Sequence, residues 1–405
     1  MTGAGGSTIT ATDGAARVGR VHTARGSFAT PCFMPVGTRG TVRMVSAADL
    51  ERLGAEVVLA NTYHLMLRPG ADVVAGLGGL HDFTGWPGHL LTDSGGYQVF
   101  SLEPRVDDDG VLFRSTYDGT THRLTPESAV AIQAQLGADI QMVLDVCPPL
   151  PAEPAVLRQA VDRTAFWAKR ARAAFLARRI GEAGAAEAAQ GSGAAERDGA
   201  ATVSVPRWIG EAGATEVAQQ QYGIVQGGVD EALRAESARR TVAIGFDGYG
   251  IGGLSVGEPR DEMLPALAAA VAELPADRPR YLMGVGDPVG LVEAIALGVD
   301  MFDCVLPTRL ARHGTVLSSA GRFNVKSTRF ATDDEPLDPA CRCEVCARHS
   351  RGYLRHLVAV REPIAARLLT LHNLAWTFDL VERARAAVLA GTLDRLRADV
   401  AAVWA

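Results

Sequence analysis

Eight short runs rich in apolar and β-branched residues recur along the chain, at residues 32–36, 57–61, 90–93, 140–145, 222–226, 249–253, 281–285 and 301–305. Most are followed by a loop containing Gly, Asp or Asn and then by an amphipathic stretch. Strands separated by helices cannot pair as hairpins; they lie parallel, each returned by a crossover. Eight such units close a sheet on itself, so the expected fold class is α/β, a (β/α)8 TIM barrel. The helical partners include residues 47–53 after the first strand, 126–136 after the third and 155–179 after the fourth. Thr125 followed by Pro126 is a capping residue with Pro at the first helical position, a good helix start.

Two regions break the alternation. Residues 181–219 are rich in Ala, Gly and Glu, with Gly-Ser-Gly at 191–193, and read as a flexible insertion between the fourth helix and the fifth strand. After Arg309 the pattern stops, and a Cys-rich segment and two helical stretches, 372–389 and 393–403, follow. The expected division is a barrel catalytic region, 1–309, and a metal-binding subdomain with C-terminal helices, 310–405.

The chain has 405 residues, 47% of them hydrophobic, enough for one large core with an appendage. Its apolar runs are short and its N-terminus is polar, with no basic-then-apolar leader, so a cytoplasmic protein is expected. Six cysteines are too few for a disulfide framework, and three of them crowd together at Cys341, Cys343 and Cys346. Downstream stand His349, His356 and His372. Three thiolates and one imidazole make a closed tetrahedral zinc site with no position for water, hence a structural one. His372, at the start of the stretch 372–389, would fasten that helix to the Cys loop.

The formal net charge of -6 argues mildly against a nucleic-acid partner, but the distribution matters more. Residues 307–361 carry ten basic and five acidic side chains, a local excess of five positive charges. A basic tract in an acidic chain is the pattern of a face that meets phosphates.

In such a barrel the active site is built at the C-terminal ends of the strands. Asp93 ends the third run, Asp145 the fourth, Gln226 the fifth, Gly252-Gly253 the sixth and Asp303 the eighth. A ring of Asp and Gln with glycines between them favours carboxylate chemistry on a flat, polar ligand. Two carboxylates facing an anomeric carbon can divide nucleophilic and acid/base roles. The residues alone do not say which takes which. Phosphate cradles fare poorly: Gly284-Val285-Gly286 lacks the third glycine of a dinucleotide fingerprint, and no Gly-Lys-Ser/Thr occurs.

Over nearly the whole chain these motifs resemble the bacterial tRNA-guanine transglycosylases. The matching runs are Thr92-Asp93-Ser94-Gly95-Gly96-Tyr97-Gln98-Val99-Phe100 and residues 139–148, 223–228, 251–258, 281–286 and 300–309, together with the zinc-ligand spacing. The resemblance implies a TIM barrel with a zinc subdomain that exchanges guanine at the first anticodon position (34) of tRNA for the queuosine precursor preQ1. It implies Asp303 as covalent nucleophile and Asp93 as general base. Asp145, Cys147, Gln226, Gly253 and Leu254 would read or line the base pocket, Tyr97 and Met283 would sandwich the ring, and Arg309 and Arg312 would hold the anticodon loop. Zinc would sit on Cys341, Cys343, Cys346 and His372, and the protein would act as a homodimer.

Departures from the family pattern are few. Residues 181–219 look inserted, and Ser255 stands where many bacterial members have Ala. Cys147 and Val256 match the preQ1-using pocket; smaller residues there would suit the larger base queuine. A non-catalytic RNA-binding relative would lack the aspartates, and an archaeosine-type enzyme would usually bring a further C-terminal RNA-binding domain. A zinc hydrolase would need an open metal position, which a fourth protein ligand closes.

Overall fold

A computed structural model describes residues 6–102, 104–191 and 219–404 of the protein. All eight expected strands are present: β1 (Cys32–Met34, continued as Val36–Gly37), β2 (Val57–Ala60), β3 (His89–Thr92), β4 (Ile140–Met142), β5 (Gln220–Val225), β6 (Gly248–Ile251), β7 (Arg280–Leu282) and β8 (Met301–Asp303). Each pairs in parallel with its sequence neighbours. The ring closes through β1. Pro35 has no N–H to give, so the strand breaks there and its halves serve different neighbours. Cys32–Met34 pairs with β8, Asp303 opposite Met34, while Val36–Gly37 pairs with β2.

Glycines make room for large side chains inside the ring. A Cβ on Gly248 would stand 2.5 Å from the Tyr222 ring, and one on Gly250 would stand 2.7 Å from the Met142 methyl. Such approaches are sterically forbidden, so these two β6 positions exclude any side chain. Outside the sheet the helix Pro126–Leu136 begins as its sequence implies, with Thr125 Oγ1 accepting the Ser128 N–H at 3.1 Å.

Two boundaries differ from the sequence reading. The helix after β4 spans Pro154–Gly191. It runs past residue 179 into the stretch expected to be an insertion, because Ala, Glu and Gln there are strong helix formers. The rest of that stretch, up to residue 218, lies outside the described residues. The first C-terminal helix spans Pro363–Ala390, so His372 sits well inside it and not at its start. Pro363 at the first helical position is the start signal.

Three small antiparallel sheets accompany the barrel: Gly6–Asp13, Ala16–Thr23 and Gly26–Thr30 at the N-terminus; Arg105–Val106, Val111–Arg114 and Thr121–Leu124 between β3 and β4; and Thr315–Ser318 with Gly321–Asn324 after β8. The N-terminal sheet is pinned beneath the barrel by buried Arg17, which pairs with Asp300 and donates to the carbonyls of Ala276 and Arg278 at 2.7 Å each. Among the described residues no helix is long and apolar enough to cross a membrane.

Candidate active site

The polar residues picked out at strand ends do converge on one mouth. Asp93 directly follows β3, Asp145 lies three residues beyond β4, Gln226 and Gly252 directly follow β5 and β6, and Asp303 is the last residue of β8. In a parallel ring these are all C-terminal ends.

Asp93 is held by backbone and side-chain donors. Its Oδ1 accepts the N–H groups of Thr62 and Gly95 at 3.0 Å each, and its Oδ2 accepts the Asn61 amide at 2.5 Å. Gly95 is left-handed (φ 80) and packs against the Tyr63 backbone, which lets the loop fold over and aim its N–H at the carboxylate. Burial outweighs these donors, and the charges of Asp303 and Asp145 add to it, so the Asp93 carboxyl is pushed up to about 7. It is a group that can both give and take a proton at neutral pH.

Asp303 differs. Its Oδ1 takes the Tyr281 hydroxyl at 2.6 Å and the Gly284 N–H at 2.8 Å. Burial raises its carboxyl, while those two donors pull the other way by stabilising the carboxylate. Both act on one oxygen. Asp145 accepts the Gln226 amide on Oδ2 at 2.6 Å, and burial brings its carboxyl to about 6. The neighbouring thiols are not competing nucleophiles, since burial pushes Cys147 and Cys304 up to about 12, far from the thiolate form.

Between β6 and the next helix the main chain forms the floor of one side. Gly253 is left-handed (φ 64), and a Cβ there would stand 2.3 Å from Gln226 Oε1, so no side chain fits. Ser255 is also left-handed (φ 63), and Glu258 accepts the N–H groups of Ser255 and Val256. Tyr97 and Met283 follow β3 and β7, four places apart in a ring of eight, and so stand on opposite sides of the mouth. Tyr97 leaves 62% of its surface exposed, so its ring is free to stack; the Met283 sulfur lies against Gly250 and Gly252. Arg309 and Arg312 lie on the helix Leu306–Arg312 immediately beyond Asp303. Burial and the nearby Arg43 and Arg309 lower the Arg312 pKa.

A second cluster lies away from the mouth. The ligand atoms of Cys341, Cys343, Cys346 and His372 are all within 4.8 Å of one another. His372 Nε2–H donates to the Leu317 carbonyl at 2.8 Å, which leaves Nδ1 facing the sulfurs of Cys346 and Cys343 at 3.2 and 3.5 Å. That is the tautomer a metal ligand needs. Tetrahedral zinc with bonds of roughly 2.0–2.3 Å sets ligand atoms roughly 3.3–3.8 Å apart, so the donor set fits. Of the three histidines downstream of the cysteines, His349 instead stacks on Tyr353.

Sequence reasoning missed the supports of these groups. Asn61 stands at a strand end, where the rule that found Asp93 could have found it. Tyr281 lies within β7, and Arg234, fully buried on the helix Glu231–Ile244, carries no mark in the sequence that separates it from surface arginines.

A family model described as queuine tRNA-ribosyltransferase matches residues 12–405. Relatives of that name include the protein of Nitratidesulfovibrio vulgaris (strain DP4), 47% identical over 100% of this chain and 98% of its own length. That of Sphingopyxis alaskensis is 47% identical over 97% of this chain and 96% of its own. That of Herpetosiphon aurantiacus is 46% identical over 94% and 88%.

Proposed function

The chain belongs to the queuine tRNA-ribosyltransferase family, and from that premise we propose that this pentosyltransferase replaces guanine at position 34, the first anticodon position, of GUN-anticodon tRNAs by preQ1, a step of queuosine biosynthesis. The observation that carries the mechanism is the unlike treatment of two facing carboxyls. Asp303 has both donors on Oδ1, which leaves Oδ2 to attack C1′ of the ribose. The bond from C1′ to N9 breaks, its electron pair passes to the base, and the departing guanine takes a proton from Asp93. In the second half Asp93, now a carboxylate, removes the N9 proton of the incoming base, N9 attacks C1′, and Asp303 leaves. Two inversions give net retention. A carboxyl near 7 suits the proton-transfer role in both directions.

Asp145, Gln226, Gly253 and Leu254 read the edge of the base, with Cys147 lining the pocket and Tyr97 and Met283 on its two faces. The relatives are named for queuine; the choice of preQ1 rests on Cys147 and Val256, which leave less room than smaller residues would. Arg309 and Arg312 hold the phosphates of the anticodon loop, where a nucleotide is flipped out at little cost. Cys341, Cys343, Cys346 and His372 hold one structural zinc ion per subunit, which fastens the long helix Pro363–Ala390 to the Cys loop and leaves no ligand position for catalysis. The chain divides into a barrel, 1–309, and a zinc subdomain, 310–405, and works in the cytoplasm as a homodimer.

Trapping tests the reading. The protein is incubated with an anticodon stem-loop and a slow incoming base, and a covalent RNA adduct is sought on a denaturing gel. The adduct is expected with the unaltered chain and absent with Asp303→Asn. An adduct that persists in Asp303→Asn refutes the assignment, and one lost only in Asp93→Asn exchanges the two roles.

A further inference from the structure

Arg234 is fully buried, and its guanidinium faces main-chain carbonyls. Nε donates to Gly228 O at 2.7 Å, Nη1 to Gly252 O at 2.6 Å and Val225 O at 3.2 Å, and Nη2 to Gly253 O at 2.9 Å. These acceptors come from the ends of β5 and β6, so one side chain ties the two loops together from behind. The helix that carries it packs closely on the first loop: a Cβ on Gly227 would stand 2.9 Å from the main-chain nitrogen of Arg234. Among the described residues no carboxylate pairs with it. Burial lowers its pKa to about 10, which still leaves it charged at neutral pH.

The peptide bonds 252–253 and 253–254 are trans, since the cis bonds of the described chain lie elsewhere. In a trans peptide the N–H points opposite to the C=O. With the carbonyls of Gly252 and Gly253 drawn back onto Arg234, the N–H groups of Gly253 and Leu254 face the other way. A cation behind the carbonyls also polarises these peptides and makes their N–H groups stronger donors.

We propose that Arg234 is a positioning residue for base recognition: it fixes the polarity of the 252–254 peptides so that two N–H groups meet the carbonyl-bearing edge of the guanine-type base, and it thereby sets the preference for a 6-oxo purine. This rests on the reading that Gly253 and Leu254 contact the base. A lysine, with three donors on a compact head, cannot reach four carbonyls in one plane.

The test is competition against exchange of labelled guanine into an anticodon stem-loop, using guanine and 2-aminopurine, which lacks the 6-oxo group, as inhibitors. In the unaltered protein guanine is expected to inhibit more strongly. In Arg234→Met the inhibition constant of guanine should rise at least about tenfold while that of 2-aminopurine changes less than about twofold. Should Arg234→Met fail to fold, as read by circular dichroism, Arg234→Lys carries the same test with the same expected loss. Equal weakening of both bases, or no change in either, overturns the positioning role. No guanine exchange by the unaltered protein overturns the proposed function itself, so the two failures are distinguishable.

Discussion

Replacing Asp93 by Asn should make the protein more stable at alkaline pH while it destroys turnover. The folded carboxyl sits at about 7 against an ordinary value of 3.8. A folded pKa above the unfolded one means that the folded state keeps a proton the unfolded chain has lost, so stability is fullest below 3.8 and falls as pH rises through 7. The loss is about 2 kcal/mol at pH 5 and about 4 kcal/mol at pH 8.5. The variant has no such loss. It does place its amide N–H2 against that of Asn61, which cannot turn because its Oδ1 already accepts the His64 N–H at 3.2 Å. That repulsion costs about 1–2 kcal/mol, but equally at both pH values. The difference between variant and parent should therefore grow by roughly 3 kcal/mol from pH 5 to pH 8.5. With an unfolding entropy of about 2.1 cal/mol/K per residue over 405 residues, that is about 3 °C in relative Tm. Removing the negative charge also relaxes Asp303 and Asp145, in the same direction. Calorimetry of both proteins at the two pH values measures it, and a Tm difference constant to within about 1 °C refutes the reasoning.

Tyr281→Phe removes one of the two donors to Asp303, so the Asp303 carboxyl rises further and the acid limb of the pH profile of kcat/KM should move to higher pH, with kcat falling about 10- to 100-fold; an unmoved acid limb shows that Tyr281 does not tune the carboxylate. Arg309→Ala and Arg312→Ala should each raise KM for the stem-loop and reduce the salt slope of RNA binding by about one, leaving KM for the free base unchanged. In metal analysis, His372→Ala should lose the bound zinc together with the thermal stability of the C-terminal helices. A variant that kept both while losing turnover would mean that the metal is catalytic.

Much of the barrel was legible because strand-forming runs, loops and helices alternate with a regular spacing, and a parallel closed sheet is the arrangement such a pattern permits. The strand-end rule then found Asp93, Asp145, Gln226 and Asp303. What escaped had other causes. Gly6–Asp13 and Ala16–Thr23 turn through Gly14-Ala15, and the hairpin Val111–Arg114 with Thr121–Leu124 turns near Asp118-Gly119. Both carry a short-range hairpin signal that is independent of the alternation of strands and helices. The start of the long helix Pro363–Ala390 is marked by Glu362-Pro363, a stronger signal than the apolar stretch around His372. Arg234 was out of reach altogether. Its role depends on four carbonyls whose direction is set only when β5 and β6 are side by side, and no local pattern encodes that.

The break at Pro35 has a bearing on how the molecule comes into being. Since one half of β1 waits for β8, the barrel cannot shut until a segment some 270 residues downstream has left the ribosome. Pairings so distant in sequence form late and slowly. Asp303 lies within that final segment, opposite Met34. A nascent or truncated chain can therefore carry Asp93, Asp145 and Gln226 early, yet under the proposed mechanism it has no group able to attack a ribose until the seam is sealed, so reactivity and completion of the fold would arrive in the same event.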